Sequence, residues 1–417
     1  MNATGERDLI DPAPGGAKTD GVCVVGAGIL GLAVARELGR RHPGLPVTVV
    51  DKEPVVGAHQ SGHNSCVVHA GLYYEPGSLK ATLCRRGGAL LHEYCVEHGI
   101  AYDEVGKIVV AADESELPGL RRIADRAERN GVPDLRMLDP VELRSVEPWA
   151  AGVAALHSPH TATVDFPGVC RQLAADIEAA GGAVLLGQEA LDVRARGTGV
   201  DVAFPQGTRR FAAVVACAGL GSDRAARGAG ARSPVRIVPF RGEYWRLRAP
   251  IRGRVRGMIY PVPDPRFPFL GVHLTRRFDG EVLVGPNAVL ALAREGYRWR
   301  DVDLTDLADM ARWPGTWALA RRYWRTGIRE LSVSVSKGAF LAAARRYMPS
   351  LLRGDLVRGG SGVRAQAVGR DGSLVDDFVI DVEGPVVAVR NAPSPAATSS
   401  LAIAAYVADR VQLAGYV

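Results

Sequence analysis

Lysine is scarce in this chain of 417 residues. It stands only at positions 18, 52, 80, 107 and 337, so arginine supplies nearly all of the 51 basic residues. Set against 45 acidic residues, they leave a formal net charge of +6, a small surplus for the length. No basic stripe with interleaved aromatics occurs, and arginine spread over solvated faces is favoured over a nucleic-acid surface. No apolar run reaches the roughly 18 residues that a membrane-crossing helix needs. The six cysteines, Cys23, Cys66, Cys84, Cys95, Cys170 and Cys217, form no CxxC pair, and no histidine cluster joins them at zinc-site spacing, so no metal centre is expected. Cys23 and Cys217 lie inside apolar runs and read as small core residues. A reducing cytoplasm is the simplest setting for such a set. Residues 1–20 lack the basic start and apolar stretch of a secretory signal and read as a disordered polar tail.

What is present is an ordinary globular composition, 47% hydrophobic and 23% charged, which excludes a disordered or fibrous chain. At about 150 residues per domain the length allows two or three domains. Residues 22–25 form a short apolar run of β type, and Gly26-Ala27-Gly28-Ile29-Leu30-Gly31 follows it. Residues 32–41 then have helical spacing, Pro43, Gly44 and Pro46 break the helix, and a second apolar run, 47–50, ends at Asp51. Strand, glycine turn, helix, strand and acid make the full context of a dinucleotide-binding βαβ unit. Gly26 permits the tight turn, Gly28 lets the backbone approach a pyrophosphate, and Gly31 lets the helix pack close to the sheet. The helix N-terminus offers N–H groups to the phosphates, and Asp51 can accept hydrogen bonds from ribose hydroxyls.

The fingerprint alone does not separate FAD from NAD. A long polar loop, 57–77, follows it in place of further regular βα units, and no second GxGxxG occurs. Both features favour one tightly held flavin. An NAD-dependent dehydrogenase is the competing reading, and that protein would purify colourless. Further helices are expected over 80–98, 116–130, 167–180, 303–323 and 397–412, and strands over 107–112, 183–186, 191–202, 210–216 and 386–389, with short β-like runs between 235 and 290.

Longer strings carry a resemblance. His59-Gln60-Ser61-Gly62-His63-Asn64-Ser65, Val68-His69-Ala70-Gly71-Leu72-Tyr73-Tyr74 and Pro76-Gly77-Ser78-Leu79-Lys80 are followed by Pro239-Phe240-Arg241-Gly242-Glu243-Tyr244 and the stretches 259–265 and 268–276. Val284-Gly285-Pro286-Asn287-Ala288, Gly362-Val363-Arg364-Ala365-Gln366-Ala367 and the run 391–399 complete the set. Over about residues 21 to 413 the chain resembles the L-2-hydroxyglutarate oxidase/dehydrogenase family of the FAD-dependent, D-amino acid oxidase-like superfamily. The resemblance implies a mixed α/β (α+β) chain. A Rossmann-like FAD-binding domain would be discontinuous over 21–100, 151–232 and 350–417, and an antiparallel-sheet substrate domain would occupy 101–150 and 233–349. It implies oxidation of L-2-hydroxyglutarate to 2-oxoglutarate, with electrons passed to oxygen or to a membrane acceptor, and so a cytoplasmic protein with peripheral contact at the inner face of the membrane. The runner-up is a related flavin oxidase acting on another 2-hydroxy acid or an amino acid. One departure stands out: Cys66 occupies a position where similar sequences usually have glycine.

Oxidising an alcohol at a flavin needs a base for the hydroxyl proton and cations that fix the carboxylates. Arg364 resembles the arginine that binds the substrate carboxylate in related amine oxidases and is the leading clamp, since a guanidinium suits a carboxylate. Arg241 and Arg276 are candidates for a second carboxylate, and Tyr260 and Thr275 for hydrogen bonds to substrate oxygens. His273 and His69 are the candidate bases, because imidazole titrates near working pH; His63 is a third candidate that could instead serve the flavin. The expected cofactor set comprises Gly26, Gly28, Ile29, Leu30 and Gly31, then Asp51 and Lys52, then His59, Ser61, His63, Asn64 and Ser65 in the loop. Ala190, Ala218 and Gly219 follow. Pro393, Ser394, Pro395, Ala396 and Thr398, ahead of the last helix, would aim N–H groups at the flavin edge where negative charge develops.

Overall fold

The apolar run Val22–Val25 is buried at every position and pairs in parallel with two partners, Val47–Asp51 on one side and Ala213–Ala216 on the other. In the computed structural model, which describes residues 20–225, 234–263, 270–411 and 413, these strands are the centre of a six-stranded sheet. Its order is Val379–Glu383, Val386–Asn391, Ala213–Ala216, Val22–Val25, Val47–Asp51, Ala183–Leu186. All neighbours are parallel except the first pair. Strands buried on both faces read as continuous apolar runs, which is why Val-Cys-Val-Val and Ala-Val-Val-Ala carry no alternation. One face is covered by the helices Ile29–Arg41, Leu79–Glu97, Phe166–Ala179 and Ser400–Ala408, packed through Leu32, Leu38, Phe166 and Ile403. The other face is covered by an antiparallel meander, Asp192–Arg196, Gly199–Phe204 and Gly207–Phe211, through Val200, Val202 and Phe211.

A second, nine-stranded sheet is mostly antiparallel. Its longest members, Val235–Leu247 and Leu356–Gly369, pair along their whole length. Period-two alternation assigns its faces. Trp245, Leu274 and Val284 are cross-strand neighbours on one face, against the helix Lys337–Arg345 and Leu351. On the opposite face lie Gly242 and Tyr244, then His273 and Thr275, then Met258 and Tyr260, and finally Lys107, the first residue of the strand Lys107–Ala111. The same register puts Arg364 on that second face, because Phe240 pairs with Arg364 and Gly242 with Gly362. The first sheet's cavity lies under this face.

The mixed α/β architecture with a parallel and an antiparallel sheet is as expected. Two boundaries need correction. Ala154–Ser158 and Leu356–Gly369 fall in ranges expected to belong to the nucleotide domain, yet both are strands of the larger sheet. The chain therefore crosses between the sheets more often than the glycine and proline breaks indicate. The expected helix 303–323 is two helices, Leu304–Arg312 and Pro314–Val335, because Pro314 ends the first at Trp313 and starts the second. The expected strand 191–202 is a hairpin turning at Gly197, and the last helix is shorter than expected, Ser400–Ala408. The tail expected to be disordered lies outside the described residues except for Asp20, and so do 264–269 of the recognised strings.

Candidate active site

The glycine turn fixes one end of the site. Gly26 has φ +110°, and a Cβ there would meet the Cys217 carbonyl oxygen at 2.5 Å. A Cβ at Gly31 would sit 1.9 Å from the Gly26 oxygen, so the helix Ile29–Arg41 can lie this close to the turn only without a side chain there. Gly28 differs. A Cβ on it would meet only Ser61 Oγ, at 3.4 Å, and its bare backbone faces a cavity of about 1090 Å³. That is the cradle a pyrophosphate would fill. Asp51 closes the turn: its Oδ2 accepts from Ala27 N–H at 2.6 Å and its Oδ1 from Glu53 N–H at 2.9 Å. Each oxygen keeps lone pairs for ribose hydroxyls.

The cavity runs from this turn to the second face of the large sheet. It is lined by Gly26, Gly28, Ile29, Leu30, Asp51, Lys52, His59, Ser61, His63, Asn64, Ser65, Ala190, Ala218 and Gly219. Pro393, Ser394, Pro395, Ala396 and Thr398 line it further along. Of the expected cofactor residues, Gly31 alone does not reach the lining; it lies beneath the turn. The loop is self-supporting. Ser61 Oγ accepts from Ile29 N–H at 3.0 Å, and Asn64 donates to the Gln60 and Ser61 carbonyls while its Oδ1 accepts from Cys66 N–H at 2.8 Å. Cys66 is held at φ +63°, in the left-handed region, which is the physical reason glycine suits that position. His59 is bound by Tyr297 and Glu53, and Lys52 by Glu295 and Glu53.

At the far end Arg364 opens into the cavity beside His69 and Tyr244. His69 Nε2 is 3.2 Å from Ser394 Oγ, and its backbone N–H donates to Thr398 Oγ1 at 3.1 Å. The turn between the strand Val386–Asn391 and the last helix thereby positions the imidazole. Burial first, then the flanking cations Lys107, Lys80 and Arg364, hold His69 well below the usual imidazole range. His273 does not line the cavity. It stacks on Tyr260 with centroids 3.9 Å apart, and its Nδ1 lies 2.9 Å from the Gly271 carbonyl oxygen. Burial pushes it down to about 3, so it too is neutral near pH 7. Tyr260 and Thr275 are buried beside it with hydroxyls 3.4 Å apart, behind the cavity wall.

Two expected carboxylate holders point elsewhere. Arg241 faces the opposite side of its strand from Gly242 and Tyr244; its guanidinium lies over the Trp299 ring at 4.2 Å and 3.6 Å from Glu243. Arg276 shares the face of Leu274 rather than that of His273 and Thr275, and it acts on Glu147. Strand alternation decides both, and it is hidden until the register is known. Conversely, Tyr244, Lys80 and Lys107 were not anticipated. Lys80 lines the cavity while its Nζ donates to Asp376 at 2.7 Å. The signal for the lysines was in the composition: of five lysines, Lys52 and Lys80 line the cavity and Lys107 stands behind His69.

A parallel sheet whose glycine turn opens on a long cavity, roofed by an antiparallel sheet bearing arginine and histidine, defines a flavoprotein oxidoreductase. Residues 21–410 match the family model described as FAD dependent oxidoreductase, and the chain belongs to that family. It is similar to the mitochondrial L-2-hydroxyglutarate dehydrogenases of Nematostella vectensis, at 46% identity over 93% of this chain and 90% of the relative, and of Homo sapiens, at 44% over 94% and 88%. The L-2-hydroxyglutarate dehydrogenase of Indibacter alkaliphilus is 43% identical over 93% of this chain and 98% of its own. The chain belongs to the same branch of the family as these relatives. Among solved structures, L-alpha-glycerophosphate oxidase from Mycoplasma pneumoniae with FAD bound superposes with a TM-score of 0.77 over 94% of both chains at 22% identity, and glycine oxidase from Bacillus cereus with 0.68 at 18%; these share the fold.

Gly31→Ala should weaken FAD retention by roughly tenfold or more, the consequence of 1–3 kcal/mol of overpacking under the turn. Gly39→Ala, in the same helix with nothing within 4 Å of the new methyl, should leave retention unchanged. Flavin content after dialysis reads both, and equal retention in the two variants would contradict the account of the turn.

Proposed function

We propose that this chain oxidises L-2-hydroxyglutarate to 2-oxoglutarate. The observation that carries the reading is that Arg364, His69 and Ser394 line the same cavity as the nucleotide turn, with Ser394 Oγ 3.2 Å from His69 Nε2. The branch of the family to which the chain belongs supports the substrate. Arg364 holds the carboxylate next to the reacting carbon, which fixes that carbon's hydrogen toward the cavity. His69, neutral and steadied by Thr398 through its backbone, takes the hydroxyl proton by way of Ser394: Ser394 Oγ passes its own proton to Nε2, 3.2 Å away, as it accepts that of the substrate hydroxyl. When bound, FAD supplies the acceptor for the two electrons and hydrogen that leave as hydride. The hydroxyl oxygen becomes the carbonyl of the 2-oxo acid, and one proton remains on His69. His273, Tyr260 and Thr275 stand behind this group and shape its wall.

Electrons leave, on this proposal, to an acceptor at a membrane surface. None of the described helices is long and apolar enough to cross a bilayer. The segment Pro314–Val335, kinked at Tyr323, instead exposes Trp324, Ile328, Leu331 and Val335 at spacings of four, three and four beyond the kink, and Trp317 before it. Arg321, Arg322, Arg325 and Arg329 lie on the same exposed helix. Tryptophan and branched aliphatics flanked by arginine suit the interface of an anionic bilayer.

In steady-state assays with L-2-hydroxyglutarate, Arg364→Ala should keep FAD but lose roughly 30-fold or more in kcat/KM, the cost of removing one partner of a charge pair. His69→Asn should lose about 100-fold or more in kcat, the usual share of a general base. A wild-type protein that retains FAD yet forms no 2-oxoglutarate contradicts the substrate reading. Separately, the protein should sediment with vesicles containing phosphatidylglycerol, and replacing Trp317, Trp324 and Ile328 by serine should release it with activity toward a soluble dye intact. Wild-type protein that stays in the supernatant contradicts the membrane acceptor.

A further inference from the structure

Residues 292–303 join the strand Val289–Leu290 to the helix Leu304–Arg312. Asp303 N–H donates to the Leu292 carbonyl at 3.1 Å, so the loop departs and returns at one point, in the form of an Ω-loop. Its base is buried. Arg294 forms a two-pronged ion pair with Asp223, Nη2 to Oδ2 at 2.9 Å, and its backbone N–H donates to Asp306 Oδ2 at 2.7 Å. The paired side chains of Arg294 and Asp223 are 8% and 1% exposed. Parting them would strand a charge in the interior, so this end stays fixed.

The crown of the loop rests on the nucleotide domain. A Glu295 carboxylate oxygen lies 2.8 Å from Lys52 Nζ and 3.2 Å from His59 Nε2. The Tyr297 hydroxyl lies 3.1 Å from His59 Nδ1, and its ring lies against that of His63 with centroids 4.4 Å apart. Farther along, the exposed Trp299 rests on the Arg241 guanidinium. The side chains of Lys52 and Glu295 are 40% and 41% exposed, and both residues line the cavity, so they meet at its rim. Lys52 directly follows Asp51, the acid that closes the glycine turn, so the rim contact stands beside the ribose end of the cradle. Ion pairs this exposed are weak and break readily.

We propose that residues 292–303 are a strap that retains FAD. Its base holds at Arg294 and Asp223, its crown latches through Glu295 and Tyr297, and the crown lifts when FAD enters or leaves. A strong base and a weak crown allow that movement without unfolding the domain. The strap is continuous with a strand of the large sheet, whereas Lys52, His59 and His63 stand on the loop that follows the strand Val47–Asp51. Cofactor retention thereby draws on both sheets. The assignment concerns FAD alone and holds for any hydroxy acid that the enzyme oxidises.

The test is the rate of FAD release from diluted holoenzyme, read as the rise of free-flavin fluorescence. Each weak contact removed should be worth roughly threefold, so Glu295→Gln combined with Tyr297→Phe should release FAD about tenfold faster. A latch also delays entry, so protein of this variant freshly freed of flavin should rebind FAD about threefold faster or more. Arg40→Gln, which breaks an exposed pair with Glu37 outside the cavity, should change neither rate. Release at the wild-type rate overturns the strap. Faster release with unchanged rebinding also overturns it, because Glu295 and Tyr297 are then ordinary cofactor contacts, and so does an equal change in Arg40→Gln. Tyr297→Phe alone, which keeps the ring, carries the same test at about threefold if the double variant does not fold.

Discussion

The closeness of backbone to backbone at Gly26–Gly31 sets the position of everything else. With a Cβ at Gly31 only 1.9 Å from the Gly26 oxygen, no side chain is tolerated, and the helix Ile29–Arg41 presents its N-terminus to the cavity because nothing stands between turn and helix. The loop carrying Ser61 then docks on that helix through Ile29 N–H. The last helix packs on the same element and brings Thr398 and Ser394 to His69. A nucleotide cradle and the imidazole of His69 are thereby fixed relative to one another through one helix.

The second sheet completes the arrangement by contributing only one of its faces. Alternation places Tyr244, Arg364 and Lys107 toward the nucleotide domain, and Trp245, Leu274 and Val284 into an apolar core of their own. The chamber between the sheets is lined with cations, and the two histidines beside it are buried. Both conditions keep the imidazoles of His69 and His273 neutral, and the cations favour a substrate that brings negative charge with it.

Much of this was legible in the residues. The βαβ unit could be read because its glycines, flanking apolar runs and terminal acid follow local rules, and the cofactor loop because its polar string is long and specific. Arg364 was identifiable from its neighbours Gly362 and Val363. Arg241 and Arg276 were misplaced because a strand's two faces differ by one residue, and only pairing shows which face is inside. Lys107 was invisible for the opposite reason: a lysine starting an apolar strand looks like a solvated end until the structure buries it against Tyr73 and Tyr260. The domain boundaries failed where Ala154–Ser158 and Leu356–Gly369 join the far sheet, a pairing between distant segments that no local pattern encodes.

The central claim is that a hydroxy acid held under the large sheet gives up hydride to FAD held on the glycine turn. Anaerobic mixing of the purified yellow protein with L-2-hydroxyglutarate tests it most directly. The account requires the flavin absorbance to bleach in one phase with one 2-oxoglutarate formed per flavin. A spectrum left unchanged by L-2-hydroxyglutarate, in protein whose flavin is readily bleached by dithionite, would contradict it.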